Sequence, residues 1–382
     1  MKPIVALSER GLRPRNPVPG GGSDERAQAS EERRKGALGS ARGGEAPLRV
    51  RIALIRLSSL GDVVHALPVA ATLRARVPGA HVTWIVERRE AAVLRDHPAL
   101  DAVVAVDTRR WRRARGLRDL ADVVVAVGEM RRRLRLAAFD VALDLQGLLK
   151  SGVLAAATRA PLRIGLPARR CREPLNALFT NRRVEPPPSA RHVVDQHLSL
   201  LAPLQVSEPV REFRLPVDAA AEARADEFLA ACGVKPGRRL VVLNPGAGRP
   251  DKRWPEERFR ALAARLTEDA GADVVVVWGP GEETTGRRIA PAGASRAVLG
   301  PPTDLHELIA FLRRANVVVA ADTGPLHLAA ALGTPCVGLY GPTSAVRNGP
   351  YGSGHRCLQG PAGRVTTIEV EAVLHAVTDL LA

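Results

Sequence analysis

Three short stretches hold residues whose types and spacing can do chemistry. In Ser58-Ser59-Leu60-Gly61-Asp62 a carboxylate closes a small polar turn. A carboxylate fixed there can take a proton from a hydroxyl as a general base. It can equally cap the helix that apolar spacing predicts from Val63, and the two roles are compatible. In NPGAGRPDKRW, residues 244–254, Gly246 and Gly248 let backbone amides approach phosphate oxygens, and Lys252 supplies a compact positive charge for a diphosphate. A surface turn with a solvated lysine has the same composition, but lysine is scarce here: only Lys2, Lys35, Lys150, Lys235 and Lys252 stand among 56 basic residues. In DTGPLH, amides near Thr323 and Gly324 open a predicted helix and suit an anion, and His327 can donate to a phosphate or hydroxyl. A helix cap at Asp322 with an incidental histidine is the plainer alternative.

Arginines form a fourth group. Arg109, Arg110 and Arg113 flank Trp111, and Arg172 opens a predicted helix in CREPLNALF. Their planar forks fit phosphates and carboxylates. Residues 88–135 hold 13 arginines against 7 acids, which also describes a solvated basic face.

The elements that position these residues are legible as apolar runs. Strands are predicted at Ile52–Leu57, Val82–Val86, Ala102–Val106 and Val141–Leu145, alternating with helical patterns. A second alternation has strands at Leu240–Leu243, Val274–Trp278, Ala297–Leu299, Val317–Ala320 and Cys336–Tyr340. Such alternation means parallel sheets with helices on both faces, and ligands then gather at the carboxyl ends of strands. Pro203 to Asp218 reads as an interdomain connection. The expected fold class is therefore α/β, with two Rossmann-like domains facing a central cleft, at residues 48–215 and 216–382. Residues 1–47, rich in Gly, Pro, Ser and Arg without periodicity, read as a disordered basic extension.

Composition narrows the function classes. Of the net charge of +16, +9 falls in residues 51–234, so a basic surface attracts phosphates of nucleic acid, anionic lipid or a charged substrate. Aromatic content of 3% leaves few stacking platforms for single-stranded nucleic acid. No apolar run reaches the roughly 20 residues needed to span a bilayer, and residues 1–44 lack the apolar core of a secretory signal. Cys171, Cys232, Cys336 and Cys357 match neither a disulfide framework nor a zinc spacing. A cytoplasmic protein with reduced thiols is expected. No GxxxxGK[ST] occurs and no GxGxxG follows Ile52, which disfavours P-loop NTPases and NAD-dependent oxidoreductases.

The pieces SSLGDVVHALP, DLQGLLKSG, CREPLNALF, NPGAGRPDKRWPEERF, VVWGPGEE and ADTGPLHLAAALGTPCVGLYGPT occur in this order. Together they resemble the ADP-heptose:lipopolysaccharide heptosyltransferases, glycosyltransferase family 9, over about residues 50 to 380. DLQGLLKSG, CREPLNALF and the RRW at 109–111 look more like heptosyltransferase I than II, whereas NPGAGRPDKRWP approaches the second type. The resemblance implies a GT-B inverting transferase that moves heptose from ADP-L-glycero-β-D-manno-heptose to the Kdo/lipid A inner core. It implies Asp62 as base and Lys252 as the cation on the leaving diphosphate, with no metal and no cofactor beyond the ADP-heptose donor. Gly246, Lys252, Glu283, Asp322, Thr323, Gly324 and His327 match the donor pocket, Glu283 as the partner of the ribose hydroxyls. Ser58, Ser59, Gly61, Arg109, Arg110, Arg113 and Arg172 match the acceptor side. Partners implied are ADP-heptose, Kdo-lipid A and the inner face of the cytoplasmic membrane, with no nucleic acid. The alternatives are heptosyltransferase II, a family 9 enzyme with another acceptor and, in a different class, a basic nucleic-acid-binding protein.

Overall fold

The computed structural model describes residues 49–113, 117–234, 237–291 and 296–382. The extension expected at 1–47 lies outside the described residues. The first half runs β1 (Arg51–Ile55), α1 (Leu60–Val64), α2 (Leu67–Arg76), β2 (His81–Glu87), β3 (Ala102–Val106), α3 (Thr108–Arg113), α4 (Leu117–Leu136), β4 (Val141–Asp144), α5 (Leu149–Ala157), β5 (Leu162–Gly165), β6 (Arg182–Arg183) and α6 (Val193–Ser199). The second runs α7 (Ala219–Ala231), β7 (Leu240–Asn244), α8 (Glu256–Glu268), β8 (Asp273–Val276), α9 (Glu283–Ile289), β9 (Ala297–Leu299), α10 (Leu305–Arg314), β10 (Val317–Ala321), α11 (Gly324–Ala331), β11 (Cys336–Tyr340), α12 (Ala345–Asn348), β12 (Arg356–Gln359) and α13 (Val370–Leu381). Residues 205–218, between the halves, hold neither helix nor strand, and Asp218 ends them by capping α7 through the N–H groups of Ala220 and Ala221.

Each half builds one six-stranded parallel sheet, in the orders β3-β2-β1-β4-β5-β6 and β12-β11-β10-β7-β8-β9. Counted from its own first strand, each has the order 3-2-1-4-5-6. The order therefore reverses between β1 and β4 in one sheet and between β7 and β10 in the other, and the crevice at such a reversal is where open α/β sheets take ligands. The turns after β1, β7 and β10 are the three chemistry-bearing stretches.

The central strands read as continuous apolar runs because both faces are covered. Ile52 and Leu54 join one buried cluster, and Ala53 and Ile55 join another on the opposite face. The first of these clusters extends into the second half through Val242, Ala320 and Leu326. The short strand β5 and the edge strands β6 and β12 were not expected from sequence: β6 is two exposed arginines, and β12 is exposed along most of its length. Without burial on both faces, the apolar signature is absent.

Four strand entries carry the same device. The N–H of Arg51 donates to the Asp140 carboxylate at 2.8 Å while the N–H of Asp140 donates to the Arg51 carbonyl at 2.9 Å. Val82 with Asp101, Arg163 with Asn181, and Leu240 with Asn316 repeat this reciprocal pair. Each pins the register of two parallel neighbours at its first residues.

The halves meet through α1 and α11. A Cβ on Gly324 would stand 2.7 Å from Leu60 Cδ2, too close for any side chain there to leave α1 undisturbed. The rings of His65, just after α1, and His327, on α11, lie 4.2 Å apart between centroids, and His192 bonds the Gly349 carbonyl at 2.9 Å.

Candidate active site

Asp62 is not the N-cap of a helix beginning at Val63. The helix begins at Leu60, Ser59 occupies the cap position, and Asp62 is the third helical residue. Its Oδ2 accepts from the Ser59 N–H at 3.0 Å and the Ser59 hydroxyl at 2.9 Å, the reach-back of a capping box. Its other oxygen pairs with Arg56 at 2.5 Å. Burial pushes the Asp62 carboxyl up, but the Arg56 guanidinium and the Ser59 bonds outweigh it and hold the group below the usual carboxylate range. About two-fifths of the side chain stays open, which leaves room for an incoming hydroxyl. Arg56 is fixed from behind, since it also donates to the Leu145 carbonyl at 2.5 Å at the end of β4. Gln146 spans the same reversal of strand order, accepting from the Leu57 N–H at 2.8 Å and donating to the Ser58 carbonyl at 3.2 Å.

Across the cleft, Lys252 ends a 3₁₀ turn, Pro250–Lys252, and its Nζ lies 2.6 Å from Asp322 Oδ2. The other Asp322 oxygen is 3.0 Å from His327 Nε2. Burial raises the Asp322 carboxyl, yet His327 and Lys252 together hold it far below the carboxylate range. Asp322 is therefore an anchor that aims a lysine and a histidine, and it does not cap α11: Thr323 occupies that position, with its own hydroxyl turned to the Ala321 carbonyl. The first amides of α11 are thus left without a side-chain cap, beside a fixed ammonium group. His327 Nδ1 is buried without a partner.

Gly246 follows β7 where a Cβ would fall on the Glu282 carboxylate. Glu282, which also accepts from the Gly279 N–H at 2.9 Å, is the acid brought to this turn. Glu283, singled out from the sequence, pairs with Arg287 one helical turn on, at 2.5 Å. The displacement is one residue: the Gly281 turn delivers the first of two consecutive glutamates, and the motif alone does not separate them.

Of a group of four histidines at the cleft, only His327 was named from the sequence. His65 is buried between His192 and His327, and the Nδ1 of buried His197 lies 3.5 Å from the His65 carbonyl. Burial lowers His65, His192 and His197, His65 well below its ordinary value and His197 to about 3, so they stand neutral. Scattered along the sequence and paired with no metal-ligand spacing, they gave no signal. Arg56 was likewise hidden, being one arginine among many.

The arginines expected on the acceptor side are less concentrated. Arg109 lies 3.6 Å from buried Glu90, whose carboxyl is pushed up by burial, and exposed Arg110 is 4.0 Å from Asp122. Arg113 ends α3, but its side chain lies outside the described residues. Arg172 does not open an α-helix. It precedes the 3₁₀ turn Pro174–Phe179 and lines a 970 Å³ groove with Thr108 and Lys150.

Comparison with known proteins meets this geometry. The family model Glycosyltransferase family 9 (heptosyltransferase) matches residues 127–374. The chain is 31% identical over 332 residues to lipopolysaccharide heptosyltransferase 1 of Escherichia coli strain K12, covering 87% of this chain and all of that protein. It is 34% identical over 311 residues to the protein of the same name from Pseudomonas aeruginosa, covering 79% and 82%. The structure of E. coli heptosyltransferase WaaC with ADP superposes with a TM-score of 0.72 at 30% identity, covering 87% of this chain and 100% of that one. The same enzyme with ADP-2-deoxy-2-fluoro heptose gives 0.71 at 29%, covering 86% and 99%. The two sheets form a GT-B fold, and the chain belongs to glycosyltransferase family 9, the heptosyltransferases.

Proposed function

We propose that the protein transfers heptose, with inversion, from ADP-L-glycero-β-D-manno-heptose to the Kdo/lipid A inner core of lipopolysaccharide, as a heptosyltransferase I. The observation that carries the reading is the opposition of two groups across one cleft: a carboxylate, Asp62, on the first half, and a lysine held at 2.6 Å by an anchored aspartate on the second. The relatives named lipopolysaccharide heptosyltransferase 1, and the ADP and fluoro-heptose complexes of WaaC, support the donor and the acceptor class.

In this reading the acceptor hydroxyl loses its proton to Asp62 as its oxygen bonds to the anomeric carbon, and the bond from that carbon to the diphosphate breaks on the opposite face. Negative charge grows on the departing ADP. Lys252 neutralises it, with the amides at Thr323 and Gly324, and His327 donates to the same group or to a sugar hydroxyl. Lysine in this place does the work of a cation, so the reaction proceeds without a metal. The Gly246 turn, Glu282 and Glu283 bound the nucleoside side, where an acid suits ribose hydroxyls. Ser58, Ser59 and Gly61 shape the acceptor pocket, and Arg109, Arg110, Arg113 and Arg172 meet its carboxylates and phosphates.

Since its acceptor is a lipid, the enzyme works at the inner face of the cytoplasmic membrane without spanning it. Among the described residues no helix is long and apolar enough to cross. The test is to incubate purified protein, with and without EDTA, with ADP-heptose and Kdo₂-lipid A. A heptose mass increment under both conditions supports the reading, and its absence with intact substrates overturns it.

A further inference from the structure

Helix α4 leaves an apolar surface uncovered. Of its residues whose surroundings are described, only Leu134 is buried, while Val124 and Val125 are 64% and 68% exposed. Val127, Met130 and Arg131 line a 970 Å³ groove against Val153 and Phe179, Leu134 packs in one cluster with Leu154 of α5, and Val124 stands about one helical turn before Val127. On the far wall Leu149 and Val153 are about half exposed, and beyond them Leu175 and Leu178 project from the 3₁₀ turn. Seven of the nine large apolar side chains exposed among the described residues lie on α4, α5 or that turn. Such concentration marks a surface that meets something apolar.

The charge beside it is basic on balance, although α4 also carries Asp119, Asp122, which lies 4.0 Å from Arg110, and Glu129. Arg133 is paired with Glu129, but Arg131, Arg132 and Arg135 have no carboxylate partner among the described residues. Glu173, the one acid among the described residues lining the groove, accepts the Leu149 N–H at 2.5 Å. Exposed aliphatic side chains interleaved with unpaired arginines suit a bilayer of anionic lipid: the chains enter the acyl boundary, and arginine stems lie along it with their heads at the phosphates. Nucleic acid would call for aromatic platforms in place of valine and leucine. A second copy of this face would set its unpaired arginines against one another.

Position supports the same occupant. Helix α5 follows β4, and β4 lies beside β1, whose turn carries Asp62; Gln146 ties the two turns together. The apolar surface thus opens on the sheet edge that holds the base. We propose that α4, α5 and the 3₁₀ turn are the bilayer-docking surface of this enzyme, seating it on anionic phospholipid so that a lipid-borne acceptor reaches Asp62 without leaving the membrane. The inference rests on the reading of the chain as a transferase with a lipid acceptor.

The test uses the full chain and vesicles of phosphatidylcholine with or without 30% phosphatidylglycerol, about a third of the lipid and enough to give an anionic surface. Two double variants are compared, Val124→Asp with Val125→Asp, and Arg132→Glu with Arg135→Glu. Val217→Asp, at a 68% exposed valine away from the surface, is the control. Both double variants should lose about tenfold or more in partition onto anionic vesicles, with unchanged melting temperatures. Transfer to Kdo₂-lipid A in those vesicles should fall in step, while transfer to a de-acylated, water-soluble acceptor stays that of the parent. Unchanged partition of both double variants, or an equal loss in the control, overturns the docking surface, as does single-stranded RNA that binds through these arginines and is not displaced by vesicles. If the parent transfers heptose to neither acceptor, the proposed function fails, and the vesicle partition still decides the docking surface.

Discussion

Gly61 and His327 touch across the cleft, and no Cβ fits between them: one built on Gly61 would lie inside the van der Waals surface of the imidazole. The ring cannot swing away freely, because Asp322 holds its Nε2 at 3.0 Å. Asp62 and Lys252 therefore belong to one closed arrangement whose spacing is set by a missing side chain. Gly61→Ala should part the halves or displace His327, costing about 1–3 kcal/mol of stability and roughly tenfold or more in transfer. Gly128→Ala, in α4 with nothing within 4 Å, supplies the comparison. It should be neutral or stabilising by up to about 1 kcal/mol. Melting curves and steady-state transfer rates on both variants check the pair.

Asp62→Asn keeps the shape and removes the proton acceptor. Transfer should fall about 100-fold or more, the low end of what a general base contributes, with ADP affinity unchanged. Because Asp62 also pairs with buried Arg56, the variant should melt earlier, by an amount calorimetry reads directly. Normal turnover in a folded variant would leave Asp62 with its capping role alone.

Arg56 keeps the Asp62 carboxylate ionised, and removing it should be visible in pH. In the parent, protonation of Asp62 belongs below the ordinary carboxylate value of about 3.9, so activity is not lost through this group at pH 5. In Arg56→Met only the Ser59 bonds are left against burial, and the acid limb of log(kcat/KM) should move up by about 1–3 pH units. An unmoved limb would mean that another group is the base.

Two adjacent glutamates can be separated. Glu282→Gln, at the residue lying over Gly246, should raise the KM for ADP-heptose severalfold, whereas Glu283→Gln should lose only an exposed pair with Arg287, a change of about 0.5 kcal/mol or less in stability. Lys252→Ala should weaken transfer by about two orders of magnitude, in the range of losing one preorganised charge contact in the transition state. Donor titrations on the three variants give the ranking.

His65 and His197 set an acid limit to stability. Both are held neutral by burial, His197 with a value of about 3, while the unfolded chain takes up protons near pH 6.5. Their lowered values contribute stability that is complete above about pH 6.5 and is lost as pH falls toward the folded value. The melting temperature should therefore be level from pH 8 to 7 and decline below 6.5, with a shallower decline in His197→Gln. Scanning calorimetry across that range tests the sign.

Much of this architecture was legible in the sequence. Ala102–Val106, Ala297–Leu299 and Cys336–Tyr340 were delimited to the residue, because each is an unbroken apolar run bounded by charged residues, proline or glycine. Asp62, Lys252 and DTGPLH were findable because each follows such a run. What escaped is tertiary. Arg56 and the four histidines are joined only when chain segments more than a hundred residues apart close on one cleft. The step from Glu283 to Glu282, and from Asp62 as cap to Asp62 as third helical residue, turns on where a helix starts, which local spacing fixes to within a residue or two.

The reciprocal pairs at the strand entries bear on how the chain reaches its native state. The Arg51–Asp140 pair closes over 89 residues and the Leu240–Asn316 pair over 76, so neither can help its loop to close. Loop closure must come first, driven by the apolar strands, and the polar pair locks a register already found. Removing one, as in Asn316→Ala, should then leave the refolding rate nearly untouched and speed unfolding, the behaviour of a contact that forms after the transition state. These Asp and Asn residues would thus set the lifetime of the native protein more than the speed of its making.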